Sequence, residues 1–203
     1  MHNKNIVEIY NESFYSIPES FRLLVFIVDS CNYNCEYCYN HFPRTNKLLD
    51  LNKVYDFIYY VVFGKMHKKF LHLDLIGGET LLHPQLIEFC KKLSNDNNIF
   101  TTVYSNFSFP IEKYQELMSY NVHMLLSWHY CADTRIFKNK FAKLTKEQIE
   151  KHVTLSIMYE HNHWKDGLQM FDYFSTTYSN MKELEFSILD ENENYNGKTY
   201  TAQ

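Results

Sequence analysis

Glycine and proline are scarce in this chain: 203 residues contain 5 and 4 of them. That excludes a collagen-like or low-complexity Pro/Gly chain and leaves each glycine to be accounted for by a turn or a close backbone approach. An excess of basic charge is missing as well. Twenty Lys and Arg stand against 24 Asp and Glu, a formal net charge of -4, which argues against nonspecific nucleic-acid binding through a basic face. Long apolar runs are absent. The plainly apolar run at residues 23–28 is far short of the ~20 residues a membrane-spanning helix needs. Residues 1–10 lack the basic-then-apolar pattern of a signal peptide. These absences point to a soluble, cytoplasmic protein. Its 5 cysteines are then expected to be reduced and to serve ligation or packing rather than disulfide stapling.

What is present is a globular composition, 45% hydrophobic and 17% aromatic, long enough for one domain with a core dominated by large rings. Residues 23–28 form a continuous apolar run, as a strand buried on both faces would. Leu48, Leu51, Val54, Tyr55, Ile58, Val61 and Val62 then recur at helical spacing. Further strands are expected at 71–76, 99–104, 122–127, 153–158 and 184–189. Between them lie helices starting near Pro84 and near Pro110, a short helix with a Thr145/Gln148 capping box, and one striped by Trp164, Leu168, Phe171 and Phe174. Alternating strand and helix mean a parallel sheet with helices outside and right-handed crossovers. Functional sites in such sheets gather at the carboxyl ends of the strands. The chain is read as a single domain, 1–203, with a core of about 21–189. Residues 190–203 form a polar tail, either a frayed terminus or the opening of a truncated helix.

The chemistry-bearing residues fall at those strand ends. Cys31, Cys35 and Cys38 lie within eight residues of one another after the first strand. Soft thiolates at this spacing can converge on one metal centre. A four-iron cluster held wholly by protein needs four cysteines, so three leave an open position where a substrate or cofactor can bind, as open catalytic metal sites do. His41 would complete a Cys3His zinc site instead, which makes a zinc-binding interaction domain the competing reading. Gly77-Gly78-Glu79 ends the second strand, Ser105-Asn106 the third, and Ser127 with His129 the fourth. By spacing, Cys90 belongs to the core, and Cys131 is placed to face the site.

The pattern Cys31-x3-Cys35-x-Tyr37-Cys38, with Asn32, Tyr39 and Asn40 beside it and Gly77-Gly78-Glu79 downstream, resembles the radical S-adenosylmethionine (radical SAM) enzymes. The resemblance runs over about 21–189. It implies a partial (β/α)6 barrel of TIM-barrel-like type, a [4Fe–4S] cluster on the three cysteines, and S-adenosylmethionine (SAM) chelating the fourth iron. It also implies reductive cleavage of SAM to methionine and a 5′-deoxyadenosyl radical, which abstracts hydrogen from a substrate. Gly77, Gly78 and Glu79 would bind the amino group of SAM, Glu79 through its carboxylate. The backbone at Tyr37 would contact the adenine, and Ser127 and His129 would face the ribose, with a buried, satisfied histidine an equal reading of His129. Ser105 and Asn106 match a Ser/Thr-Asn-Gly strand end in which Phe107 replaces the glycine, and Thr80 stands where the family commonly has proline. The implied partners are a small-molecule, peptide or protein substrate and an electron donor, a reductase or a flavodoxin/ferredoxin-type protein. With no cysteine beyond 131, the resemblance implies a core domain without the second-cluster (SPASM-type) extension. The alternative within this fold is a non-catalytic iron–sulfur or redox module.

Overall fold

The computed structural model describes residues 19–38, 46–159, 161–179 and 181–188. Tyr39, Asn40, His41, Leu189 and the polar tail lie outside them. Six strands form one sheet: β1 (Ser20–Val28), β2 (Phe70–Gly77), β3 (Ile99–Ser105), β4 (His123–Trp128), β5 (Val153–Tyr159) and β6 (Glu183–Ile188). They lie side by side in chain order, and every neighbouring pair is parallel. The expected architecture is present: an open parallel sheet of six strands, with helices in each of the five crossovers between them.

The helices are α1 (Leu51–Phe57), which continues as a wider π-type turn over Ile58–Lys65, then α2 (Leu86–Leu93), α3 (Ile111–Ser119), α4 (Thr134–Phe141), α5 (Lys146–His152) and α6 (Trp164–Thr177). α1 starts at Asp50, whose carboxylate accepts from Asn52 N at 3.0 Å. Its buried stripe is Leu51, Val54, Ile58 and Val62. α5 carries the expected capping box between Thr145 and Gln148. Strands β2 and β3 are almost wholly buried, as central strands covered on both faces should be. Cys90 sits in the core among the residues of α2.

Three expectations are corrected, and one helix is new. The apolar run 23–28 is not buried on both faces: Leu24 and Phe26 are 52% and 51% exposed. β1 is an edge strand, and Leu24 lines an open cavity rather than packed interior. Leu48 is not helical; it forms an isolated antiparallel bridge with Val28, and the helix begins only where Asp50 caps it. In α6 the expected Phe174 is buried and Phe171 packs against the core, but Trp164 and Leu168 are exposed, and Gly167 and Met170 are buried in their place. The buried stripe is therefore rotated from the predicted one. Finally, α4 was not anticipated. Its signals are Asp133, which accepts from Ile136 N at 2.9 Å as an N-cap, and the buried pair Phe137 and Phe141 at helical spacing.

The amino-terminal half of the sheet's inner face carries a polar network. Arg22 Nε donates to Asp74 at 2.5 Å, and His72 Nε2 lies 2.9 Å from Thr102 Oγ1 and 3.1 Å from Asp74 Oδ1. Burial pushes the Asp74 carboxyl up, but His72 and Arg22 outweigh it and hold it below the usual carboxylate range. Further along, His123 Nε2 lies 2.8 Å from Thr154 Oγ1, whose hydroxyl donates to Glu183 at 2.7 Å. Burial lowers the His123 pKa from 6.5 to about 4, helped by the charges of His152 and His72 and opposed by Lys151 O and Asp74. The unfolded chain protonates this imidazole below pH 6.5, whereas the folded chain resists until about 4. Stability is therefore expected to fall as pH drops through that window, with a steepest contribution of about 1.4 kcal/mol per pH unit. Calorimetric Tm measured from pH 7 to 4 should show it, and His123→Asn should flatten the slope. An unchanged slope would contradict the assignment.

Candidate functional site

A cavity of about 520 Å3 opens at the carboxyl ends of the strands. The β1–α1 loop brings Cys31, Cys35, Tyr37 and Cys38 to its rim, the end of β2 brings Gly77 and Gly78, the end of β3 Ser105 and Asn106, and β4 Ser127 and His129. Residues from four separate strand ends, up to 98 positions apart in the chain (Cys31 to His129, 129 − 31), thus share one space.

The glycines are demanded by a close backbone approach. A Cβ on Gly77 would stand 2.2 Å from Val28 O, and one on Gly78 2.1 Å from Ser30 O. Gly78 N donates to Val28 O and Glu79 N to Ser30 O, both at 2.9 Å. The end of β2 is therefore bonded directly to the segment that launches the cysteine loop.

Of the predicted site residues, Glu79 is the one that does not line the cavity. It is fully buried. Its Oε1 accepts from Leu81 N at 3.1 Å and Ser105 Oγ at 2.8 Å, and its Oε2 accepts from Asn106 N at 2.8 Å. The carboxylate joins the end of β2 to the end of β3 from below the cavity. Burial raises its pKa, against the three donors and the Lys140 charge. Glu79→Gln would point an amide NH2 at one of these donors and leave a buried N–H or O–H without an acceptor, at a cost of about 1–3 kcal/mol. A lowered Tm is the expected result, and an unchanged one would count against this role.

Two departures from the family pattern have local explanations. Thr80 is buried, and its hydroxyl donates to Tyr104 O at 2.6 Å. The proline it replaces has no such donor, so a hydrogen bond between β2 and β3 takes over from ring rigidity. Phe107 adopts φ 57°, the left-handed region a glycine would enter freely. Its buried ring packs at 4.7 Å from Tyr114 and 5.1 Å from Phe137, and Lys140 Nζ donates to Phe107 O and Phe109 O at 2.7 Å. Packing and a cation from α4 hold the backbone where glycine's freedom is lacking.

Asn106 reaches the cysteine loop, donating to Asn32 Oδ1 at 2.9 Å and lying 3.7 Å from Cys31 Sγ. His129 stacks on Tyr37 at 5.9 Å between centroids, with its Nδ1 2.5 Å from the Tyr37 hydroxyl and 3.8 Å from Cys35 Sγ. Burial lowers the His129 pKa to about 4 and raises that of Tyr37 well above its ordinary value. At neutral pH the phenol therefore donates to a neutral imidazole. His129 is half-buried and lines the cavity.

The five cysteines are not joined in disulfides. Among the described residues no three His, Cys, Asp or Glu side chains converge tightly enough to hold a single metal ion; His41 is outside that set. The donor chemistry suits a cluster. Three thiols on one loop border the same cavity, and a four-iron cage asks its thiolates to stand further apart than one ion does.

Sequence reasoning named Ser127 but missed the rest of the far wall. Ser156 and Glu185 share its register row across β4, β5 and β6 and line the cavity with Ser187 and Met158. Period-two alternation marks these positions as sharing a face, but only the strand order shows that the face is the cavity's.

The family model described as the Radical SAM superfamily matches residues 25–156, and the chain belongs to that superfamily. Among solved structures it is similar to "Native anSMEcpe with bound AdoMet", with a TM-score of 0.64, 18% identity, 87% of this chain covered and 54% of that one. It is also similar to Streptococcus suis SuiB bound to S-adenosylmethionine (TM-score 0.61, 15% identity, coverage 98% and 47%) and to BtrN in complex with AdoMet and 2-DOIA (TM-score 0.56, 18% identity, coverage 67% and 56%). At these identities the likeness is one of fold. The chain spans about half the length of the structures it matches. No curated protein matches its sequence.

Proposed function

We propose that this chain is a radical SAM enzyme that binds a [4Fe–4S] cluster through Cys31, Cys35 and Cys38, holds SAM in the adjoining cavity, and abstracts hydrogen from a substrate. The observation that carries the reading is the meeting of the three-cysteine loop with the ends of β2, β3 and β4 on one cavity. Solved relatives of the same fold that contain AdoMet support it. When bound, the cluster supplies the electron that splits SAM into methionine and a 5′-deoxyadenosyl radical.

The chain's own residues bind, orient and exclude water. Backbone groups at Gly77 and Gly78, at the cavity end of β2, would receive the amino acid part of SAM. Glu79 serves from beneath, fixing Asn106 and Ser105 at the floor. Ser127 offers a hydroxyl to the ribose, and the Tyr37–His129 stack shields the cysteine loop. The wall of Ser156, Ser187 and Glu185 faces the space left for substrate. Among the described residues no Lys or Arg lines the cavity, which favours a neutral or cationic substrate group over an anionic one. A peptide is among the candidate substrates, since a SuiB structure of the same fold (TM-score 0.60, 16% identity) is bound to the precursor peptide SuiA. A reductase or a flavodoxin/ferredoxin-type protein would deliver the electron. Among the described residues no helix is long and apolar enough to cross a membrane.

The test is anaerobic reconstitution with iron and sulfide, followed by SAM and a strong reductant. Iron near four per chain and 5′-deoxyadenosine are expected. A well-formed cluster without 5′-deoxyadenosine would favour a non-catalytic cluster protein, and zinc without iron would overturn the reading.

A further inference from the structure

Cys131 lies outside the three-cysteine motif, on an exposed turn after β4. Its sulfur is 3.5 Å from Cys35 Sγ, across 96 residues of sequence. Two thiols on different irons of one cluster would stand further apart than this, so the arrangement does not describe a fourth cluster ligand. It describes two thiols in contact.

The contact is held from both sides. Tyr37, two residues after Cys35, stacks on His129 and meets the Tyr130 ring at 5.6 Å. Tyr130 in turn stacks on His163, just before α6, at 3.9 Å and 6°. The turn that carries Cys131 is closed by Ala132 N donating to His129 O at 2.8 Å, and Asp133 begins α4 immediately after it. The two sulfurs thus sit on loops that four aromatic rings keep together. A disulfide has its sulfurs about 2.05 Å apart, so closing the gap asks for movement of about 1.5 Å, within reach of side-chain rotation on an exposed turn.

We propose that Cys131 is a redox-modification site that pairs with Cys35 in the cluster-free chain, withdrawing one of the three cluster ligands until it is reduced. The oxidant is a low-molecular-weight disulfide such as oxidised glutathione. Cys131, as thiolate, attacks one glutathione sulfur, the glutathione S–S bond breaks, and one glutathione leaves as a thiol after taking up a proton. The Cys35 sulfur, losing its proton, then attacks the Cys131 sulfur, and the second glutathione leaves as a thiol. Two protein thiols lose two electrons and two protons, and one disulfide gains them. A thiol reductant reverses the sequence. Where disulfides occur in reducing compartments they are commonly of this transient, sensing kind. The pairing itself rests on geometry alone; only its exclusion of a cluster rests on the function proposed above.

The experiment uses the full chain, prepared without iron under anaerobic conditions and exposed to oxidised glutathione. Remaining thiols are alkylated, the protein is digested, and peptides are read by mass spectrometry. The expected product is a Cys35–Cys131 cross-linked peptide that disappears on reduction. A disulfide confined to Cys31, Cys35 and Cys38, or glutathione left on Cys131 with Cys35 alkylated, would overturn the proposal. The second arm measures iron uptake after the same oxidation. It should fall to background in the parent chain, recover on reduction, and persist in Cys131→Ser. Equal iron loss in Cys131→Ser would overturn the gating role. A reduced chain that takes up no cluster at all would instead sink the proposed function while leaving the cross-linked peptide to stand or fall separately.

Discussion

Cys35→Ala is expected to give a folded chain that neither retains a four-iron cluster nor forms 5′-deoxyadenosine above background. Cys35 lies half-buried in the loop between β1 and α1, outside the apolar core, so its loss costs the fold little. It is, however, one of only three thiols on that loop, and removing it would leave two irons of the proposed cluster without protein ligands. Circular dichroism should be unchanged, iron content should collapse, and SAM cleavage should vanish together with it. Cys90 provides the contrast. It is fully buried beside Leu86, Phe89 and Leu93, and burial pushes its thiol up to about 12, so it behaves as a small apolar side chain. Cys90→Ala should lower Tm through a small cavity while leaving iron content intact. Normal cluster loading in Cys35→Ala would refute the cluster assignment outright.

Gly78→Ala should produce the second large effect, through backbone rather than through a lost functional group. The new methyl would stand 2.1 Å from Ser30 O, 2.5 Å from Ser30 C and 3.0 Å from Cys31 N. None of these is the end of a flexible side chain. The backbone cannot move aside freely, because Gly78 N and Glu79 N are bonded to Val28 O and Ser30 O. Relief therefore means pushing the cysteine loop off the end of β2. An overpacking cost of about 1–3 kcal/mol is expected, along with a larger loss of cluster and SAM cleavage than the stability loss explains. Gly167→Ala is the control. Its nearest neighbour would be 3.7 Å away on the Phe186 ring, and a helical glycine replaced by alanine should gain about 0.5–1 kcal/mol. If both variants behaved alike, the close approach at Gly78 would not be what shapes the site.

The site was legible to different depths. The cysteine triad and Gly77-Gly78 could be read because their chemistry is encoded locally: three soft donors in one loop, and two residues without Cβ at a strand end. Glu79 was legible as important but not in its role. Whether a carboxylate faces a cavity or turns beneath it depends on donors 26 and 27 residues away, at Ser105 and Asn106. Phe107 looked like a simple departure from a glycine position, yet its left-handed backbone is retained because α4, which the sequence reading did not foresee, delivers Lys140 and Phe137 to it.

The sequence by itself determined the alternation of strand and helix, the parallel order, the cysteine loop at the carboxyl edge, and the helix starts marked by caps and prolines. Each is a property of a few consecutive residues, set by periodicity, capping and backbone freedom. Tertiary structure alone decided which face of β1 is wet, how α6 is rotated, where the acidic wall at Glu185 lies, and that Cys131 meets Cys35. Those depend on how a right-handed series of crossovers closes partway round and leaves an open edge. Burial and contact across it are set by packing geometry between distant segments, which no local pattern records.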